Sequence, residues 1–225
     1  MKRETLQRII KYLLAHLTDL RFIGVENIPT SGGAIVATNH MSRMDIPVLF
    51  VNPVRPEITA LVADKYVNFP VIGWLSRVAG AIFIDRERAD FGAFREAQKL
   101  IKAGIPMGIA PEGTRSTTSQ LIEGKSGMIL LAIKTGTPIV PVGLAGTEDS
   151  FKRLFTFRKP HITARFGKTF TITDLPRENR EEALQLATDE VMCRIAALLP
   201  EKYWGFYKDH PRLRELVAEQ GGPVV

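Results

Sequence analysis

At 225 residues the chain has the length of one large domain with a substantial core, and 45% hydrophobic against 24% charged residues excludes a disordered polar chain. A net charge of +6 favours an anionic partner without choosing among nucleic acid, anionic lipid and phosphorylated metabolites. The single cysteine, Cys193, excludes an internal disulfide framework and any multi-cysteine zinc site, which suits a reducing compartment such as the cytosol.

The first twenty residues, MKRETLQRIIKYLLAHLTDL, place Leu6, Ile9, Ile10, Leu13, Leu14 and Leu17 at three- and four-residue steps, with Lys2, Arg3, Glu4, Arg8 and Lys11 among them. That spacing predicts an amphipathic helix over 1–20, docked on the domain or lying on a bilayer, with docking the commoner outcome for such helices. Lys11, His16 and Asp19 interrupt it and no small-residue cleavage pattern follows, so it does not read as a signal peptide. Nowhere does an uninterrupted apolar run reach the roughly 18 residues a spanning helix needs.

Apolar strand-like runs follow at 21–25, 34–38, 59–63, 81–85, 107–110, 139–143 and 162–166. Helical patterns lie at 45–50, 71–78, 91–102, 127–134 and 180–199, and a C-terminal helix and tail close the chain over 200–225. The alternation predicts an α/β fold: a mostly parallel or mixed central sheet with helices on both faces, in a single domain over 1–225.

In open α/β sheets the chemistry gathers at the carboxyl ends of strands. Four segments sit at such ends here: ATNHMSRMD, IFIDRER, GIAPEGTRS and IVPVGLAG. In the first, His40 and Asp45 are five residues apart, a step of about 500° on an ideal helix that leaves them roughly 140° out of alignment. They converge only if the segment straddles a strand exit and the first turn of a helix. A carboxylate bonded to one imidazole nitrogen fixes the tautomer and leaves the other nitrogen free to take a proton.

No protein nucleophile accompanies that pair. There is no G-x-S-x-G elbow, and Cys193 falls in the late helix, far in sequence from the four loops. The attacking hydroxyl then belongs to the substrate, which suits transfer of an already activated acyl group. Arg86, after AIFID, and Arg115, in the turn PEGTRS, could aim two guanidinium forks at one anion, with Gly113 relaxing the turn. Isolated surface pairs, Asp85 with Arg88 or Glu112 with Arg115, are the ordinary alternative.

Taken together and in order, NHMSRMD, GAIFIDR, PEGTRS and IVPVGLAG resemble the N-H-x4-D, G-x-x-F-I-x-R, P-E-G-T-R-S and proline-containing fourth blocks of the glycerolipid acyltransferase family, and within it the 1-acylglycerol-3-phosphate (lysophosphatidate) acyltransferases. The resemblance runs from Asn39 to Gly146, about half the chain. It implies that His40 is the general base and Asp45 its partner, and that Arg86, Glu112, Gly113, Thr114 and Arg115 form the acceptor-phosphate region, Glu112 orienting a guanidinium or the acceptor. Pro141 would shape the acyl-donor side. The implied donor is acyl-CoA or acyl carrier protein, the acceptor a lysophospholipid, and no metal or other cofactor is required. Ala110, where many relatives carry an aromatic, and Met41, where a polar residue is frequent, bear on pocket shape rather than on the reacting groups.

The stretch SFKRLFTFRKP, 150–160, mixes Phe151, Leu154, Phe155 and Phe157 with Lys152, Arg153, Arg158 and Lys159, the combination an interfacial element uses to bury apolar groups beside anionic headgroups. An anionic membrane surface is therefore an expected partner, with the protein peripheral on the cytoplasmic, inner face of the cell membrane. A P-loop around Gly124-Lys125-Ser126 fails because its first glycine would have to be Ser119, and no nucleic-acid-binding module is recognisable. Two rivals remain: an acyltransferase for another lysolipid acceptor, and a noncatalytic lipid-binding protein.

Overall fold

The computed structural model describes residues 1–85, 90–172, 175–176 and 178–224. In chain order its elements are α1 (Arg3–Leu17), β1 (Asp19–Ile23), β2 (Ile35–Thr38), α2 (Asp45–Phe50), β3 (Thr59–Ala63), α3 (Pro70–Val78), β4 (Ile82–Ile84), α4 (Phe91–Lys102) and β5 (Met107–Ile109). There follow α5 (Gly127–Thr135), β6 (Ile139–Ala145), α6 (Ser150–Phe155), β7 (His161–Phe166), α7 (Arg180–Ala197) and α8 (Pro211–Glu219).

All four residues of β2 are buried, as a central strand covered on both faces requires. Its side chains divide by the two-residue strand period: Ile35 and Ala37 join a core with α4, α5 and α7, while Val36 packs on the other face with Leu14 of α1 and Val48 and Leu49 of α2. The seven strands form one sheet in the order β1-β7-β6-β2-β5-β3-β4. Every pairing is parallel except β6 with β7, so β2 to β6 run one way and β1 and β7 the other.

The first strand begins two residues earlier than its apolar pattern suggests, because Asp19 and Leu20 pair with His161 and Ile162. The helix before it stops at Leu17, where the Thr18 hydroxyl and N–H both bond the Leu14 carbonyl, at 2.6 and 2.9 Å. Docking holds α1 on the domain. Leu6 and Leu14 are buried, the Arg3 guanidinium donates to the carbonyls of Pro56, Ile58 and Ala79 and lies 4.8 Å over the Phe50 ring, and Gln7 donates to the Phe50 carbonyl at 3.0 Å. Ile9, Tyr12, Leu13 and Leu17 stay exposed on its outer side. Among the described residues no helix is long and apolar enough to cross a membrane.

After α7 the chain makes two 3-10 turns, Glu201–Tyr203 and Gly205–Tyr207, that lie along the segment leading into α5. The Leu121 N–H donates to the Tyr203 carbonyl at 2.8 Å and the Phe206 N–H to the Leu121 carbonyl at 2.9 Å. Tyr207 is fully buried; its hydroxyl accepts from the Gly124 N–H at 3.0 Å and donates to Asp189 at 3.2 Å. Burial first, then the charges of Asp189 and Glu190, push the Cys193 thiol up to about 12, consistent with a packing residue rather than a nucleophile.

At the end of β6, Gly146 has φ +79°, and a β-carbon there would lie 1.9 Å from the His161 carbonyl oxygen. Both the left-handed backbone and the close strand crossing demand glycine. Gly146→Ala is expected to lower stability by at least about 2 kcal/mol, read as a fall in the urea midpoint. An unchanged midpoint would show that the crossing relaxes without cost.

Candidate active site

Because β2 and β5 are neighbours and parallel, the loops leaving their carboxyl ends meet. The loop after β2 carries Asn39 and His40; the loop after β5 carries Pro111 to Ser116. Asn39, with no exposed surface, spans to the next strand with its side chain: Nδ2 donates to the Leu144 carbonyl at 2.9 Å and Oδ1 accepts the Leu144 N–H at 2.8 Å. The amide thus extends the β2–β6 ladder by one rung and fixes where the chain turns out.

His40 follows at that point, its side chain only 14% exposed. Nδ1 lies 2.8 Å from Asp45 Oδ2, and the same oxygen accepts the backbone N–H groups of Met41 and Ser42, each at 2.8 Å. Asp45 is the first residue of α2, so the pair does straddle a strand exit and a helix start. With two N–H donors already on Oδ2, that oxygen serves as acceptor for the ring as well, which puts the ring proton on Nδ1. Nε2 keeps its lone pair and has no hydrogen bond among the described residues.

The P-E-G-T-R-S turn grips the main chain of the same histidine. Glu112 Oε1 accepts the His40 N–H at 2.8 Å, and the Ser116 N–H donates to the His40 carbonyl at 2.9 Å. The second Glu112 oxygen accepts the Ile122 N–H at 3.2 Å. Glu112 is 1% exposed, and burial raises its carboxyl to about 7, opposed by the two N–H donors and reinforced by the negative charge of Asp45. Its oxygens face backbone, so its visible work is to place His40 rather than to meet a guanidinium.

Gly113 takes φ +70° within this turn, Thr114 is exposed and Arg115 half-buried. Among the described residues the Arg115 guanidinium has no hydrogen bond or ion pair, so the Glu112–Arg115 surface pair does not form. Arg86 lies outside the described residues. Pro141 sits within the body of β6 opposite Ala37, three positions before His40, and takes the Gly167 N–H on its carbonyl at 2.8 Å. It is therefore not brought to the His40–Asp45 pair. Sequence patterns did not single out Asn39 and Ser116, although both stand inside the quoted blocks; their roles depend on strand adjacency.

Comparison with known proteins bears on this arrangement. Residues 19–145 match the family described as Acyltransferase. A 1-acyl-sn-glycerol-3-phosphate acyltransferase of Borreliella burgdorferi is 34% identical over 178 residues, covering 78% of this chain and 71% of that protein. Another of the same name, from Limnanthes douglasii, is 34% identical over 173 residues, covering 75% of this chain and 61% of its own length. The crystal structure of the 1-acyl-sn-glycerophosphate (LPA) acyltransferase PlsC from Thermotoga maritima superposes with a TM-score of 0.65 at 25% identity, over 84% of this chain and 78% of that one.

The Glu112 carboxyl makes the site pH-sensitive in a defined direction. Its proton is held more tightly in the folded state, so the stabilisation is complete below the ordinary value of 4.5 and is lost as pH rises to about 7. Relative to Glu112→Gln, the wild type should lose about 3 kcal/mol of unfolding free energy between those limits, with no further change above them. Urea titrations of both proteins across that range check it; a difference that stays flat or grows with pH would contradict the assignment.

Proposed function

The chain belongs to the acyltransferase family, and from that premise we propose that it moves a fatty acyl group from acyl-CoA or acyl carrier protein to the 2-hydroxyl of 1-acyl-glycerol-3-phosphate, giving phosphatidic acid for phospholipid synthesis. The observation that carries this reading is an imidazole fixed by a carboxylate at 2.8 Å, with its second nitrogen unpaired among the described residues.

His40 Nε2 takes the proton of the acceptor 2-hydroxyl as that oxygen attacks the thioester carbonyl. Asp45 holds the ring and stabilises the imidazolium that forms. The tetrahedral intermediate collapses by breaking the carbon–sulfur bond, and the departing thiolate recovers the proton from Nε2. Thiolate leaves readily, so the step draws on no metal or prosthetic group. Arg115, joined by Arg86 as the family resemblance implies, holds the acceptor phosphate and makes the attack an oriented one.

The acceptor and product are membrane lipids, and the edge of the sheet that carries His40 also carries exposed apolar groups. The helix α6 leaves β6 at that edge, with Phe155 82% and Phe157 99% exposed beside exposed Lys152, Arg158 and Lys159. Leu17 ends α1 there too, since β1 begins level with His161. This combination supports peripheral attachment to an anionic bilayer, at the inner face of the cell membrane, with the site turned toward the lipid.

Incubating the protein with acyl-CoA or acyl carrier protein and a panel of lysolipids tests the assignment. Replacing His40 with alanine should cut kcat by roughly 10^2 to 10^4, and Arg115→Ala should raise the KM for lysophosphatidate by about tenfold or more. Turnover retained by the histidine variant would remove the base. Equal use of acceptors with and without phosphate would move the protein to another lysolipid. For the membrane, flotation with anionic vesicles should weaken when Phe151, Phe155 and Phe157 are replaced by serine together; unchanged flotation would assign that surface elsewhere.

A further inference from the structure

Resting on the acyltransferase reading, we infer that Lys125 is a further cation of the acceptor-phosphate site, acting beside Arg115 to select a dianionic phosphomonoester over a phosphodiester headgroup. The side chain lies along Gly113: a β-carbon built on that glycine would be 3.1 Å from Lys125 Cδ, 3.5 Å from Cε and 3.6 Å from Nζ. The ammonium is therefore beside the turn that grips His40 by Glu112 and Ser116, two residues from Arg115. Among the described residues it has no hydrogen bond or ion pair.

The main chain presenting this lysine is pinned on both sides. Its own N–H donates to the Pro111 carbonyl at 2.8 Å, which ties it to the start of the same turn. The preceding Gly124 gives its N–H to the buried Tyr207 hydroxyl at 3.0 Å and is packed so closely that a β-carbon would lie 2.8 Å from Met192 Cγ and from Thr188 Cγ2. Lys125 is exposed, but its stem is directed across a glycine that has no side chain to block it.

A phosphomonoester carries about 1.5 to 2 negative charges at pH 7, a phosphodiester one. The single charge of the diester is already matched by guanidinium, so the extra charge of the monoester is what gains most from an ammonium in reach. Lys125 thus distinguishes lysophosphatidate from lysolipids with an esterified headgroup.

The test uses the whole protein in neutral detergent micelles, where no anionic surface contributes. It compares wild type, Lys125→Ala and Lys125→Arg for the KM of lysophosphatidate and the Ki of lysophosphatidylglycerol as competitor. The alanine variant should raise the lysophosphatidate KM roughly 10- to 100-fold and leave the Ki of the diester within about twofold, narrowing discrimination; arginine should recover most of the loss. A lysophosphatidate KM unchanged in Lys125→Ala, or a parallel weakening of both lipids, would overturn the role of Lys125. Failure of the wild type to acylate lysophosphatidate at all would instead remove the reading on which it rests.

Discussion

One oxygen organises the site. Asp45 Oδ2 collects the N–H groups of Met41, Ser42 and the His40 ring, each at 2.8 Å, and so determines the shape of the loop and the state of the base at once. The two backbone donors curl residues 40–45 tightly enough to bring a helix residue back to the strand end. The third bond assigns the ring proton to Nδ1. Shape and chemistry therefore stand or fall with the same carboxylate.

Around it the sheet supplies the fixed frame. Parallel pairing of β2 with β5 and β6 delivers three strand ends to one edge, and the ends of β5 and β6 clamp the segment carrying His40. Asn39 ties it to β6 through Leu144, while Glu112 and Ser116 tie it to the loop after β5. Burying Glu112 to hold two peptide N–H groups costs the fold above pH 7, a local expense consistent with positioning at a functional edge. Support also comes from the C-terminal turns, whose bonds to Leu121 and Gly124 steady the segment that contributes the Ile122 N–H.

Much of this was legible in the sequence, for identifiable reasons. All seven strands announce themselves as short apolar runs, and the 500° step between His40 and Asp45 already demands a strand-to-helix junction. Periodicity could not give the reversed direction of β1 and β7, which depends on the antiparallel pairing of β7 with β6, Phe166 opposite Val142, and on the parallel pairing of β1 with β7, Asp19 opposite His161 far along the chain. Nor could it reveal the work of Asn39 and Glu112, because each bonds a backbone group on a distant strand or loop. Pro141 was visible as a motif residue, yet lies within the strand body. Lys125, met only as part of a failed P-loop, gains meaning from its path across Gly113.

The claim that Asp45 leaves His40 Nε2 ready to accept a proton is open to direct observation by nitrogen-15 NMR of the labelled histidines. For neutral His40 the account predicts a protonated Nδ1 and a bare Nε2, with the Nδ1–H signal altered when Asp45 is changed to asparagine. A proton found on Nε2 instead would contradict it, because the nitrogen facing the substrate would then be a donor.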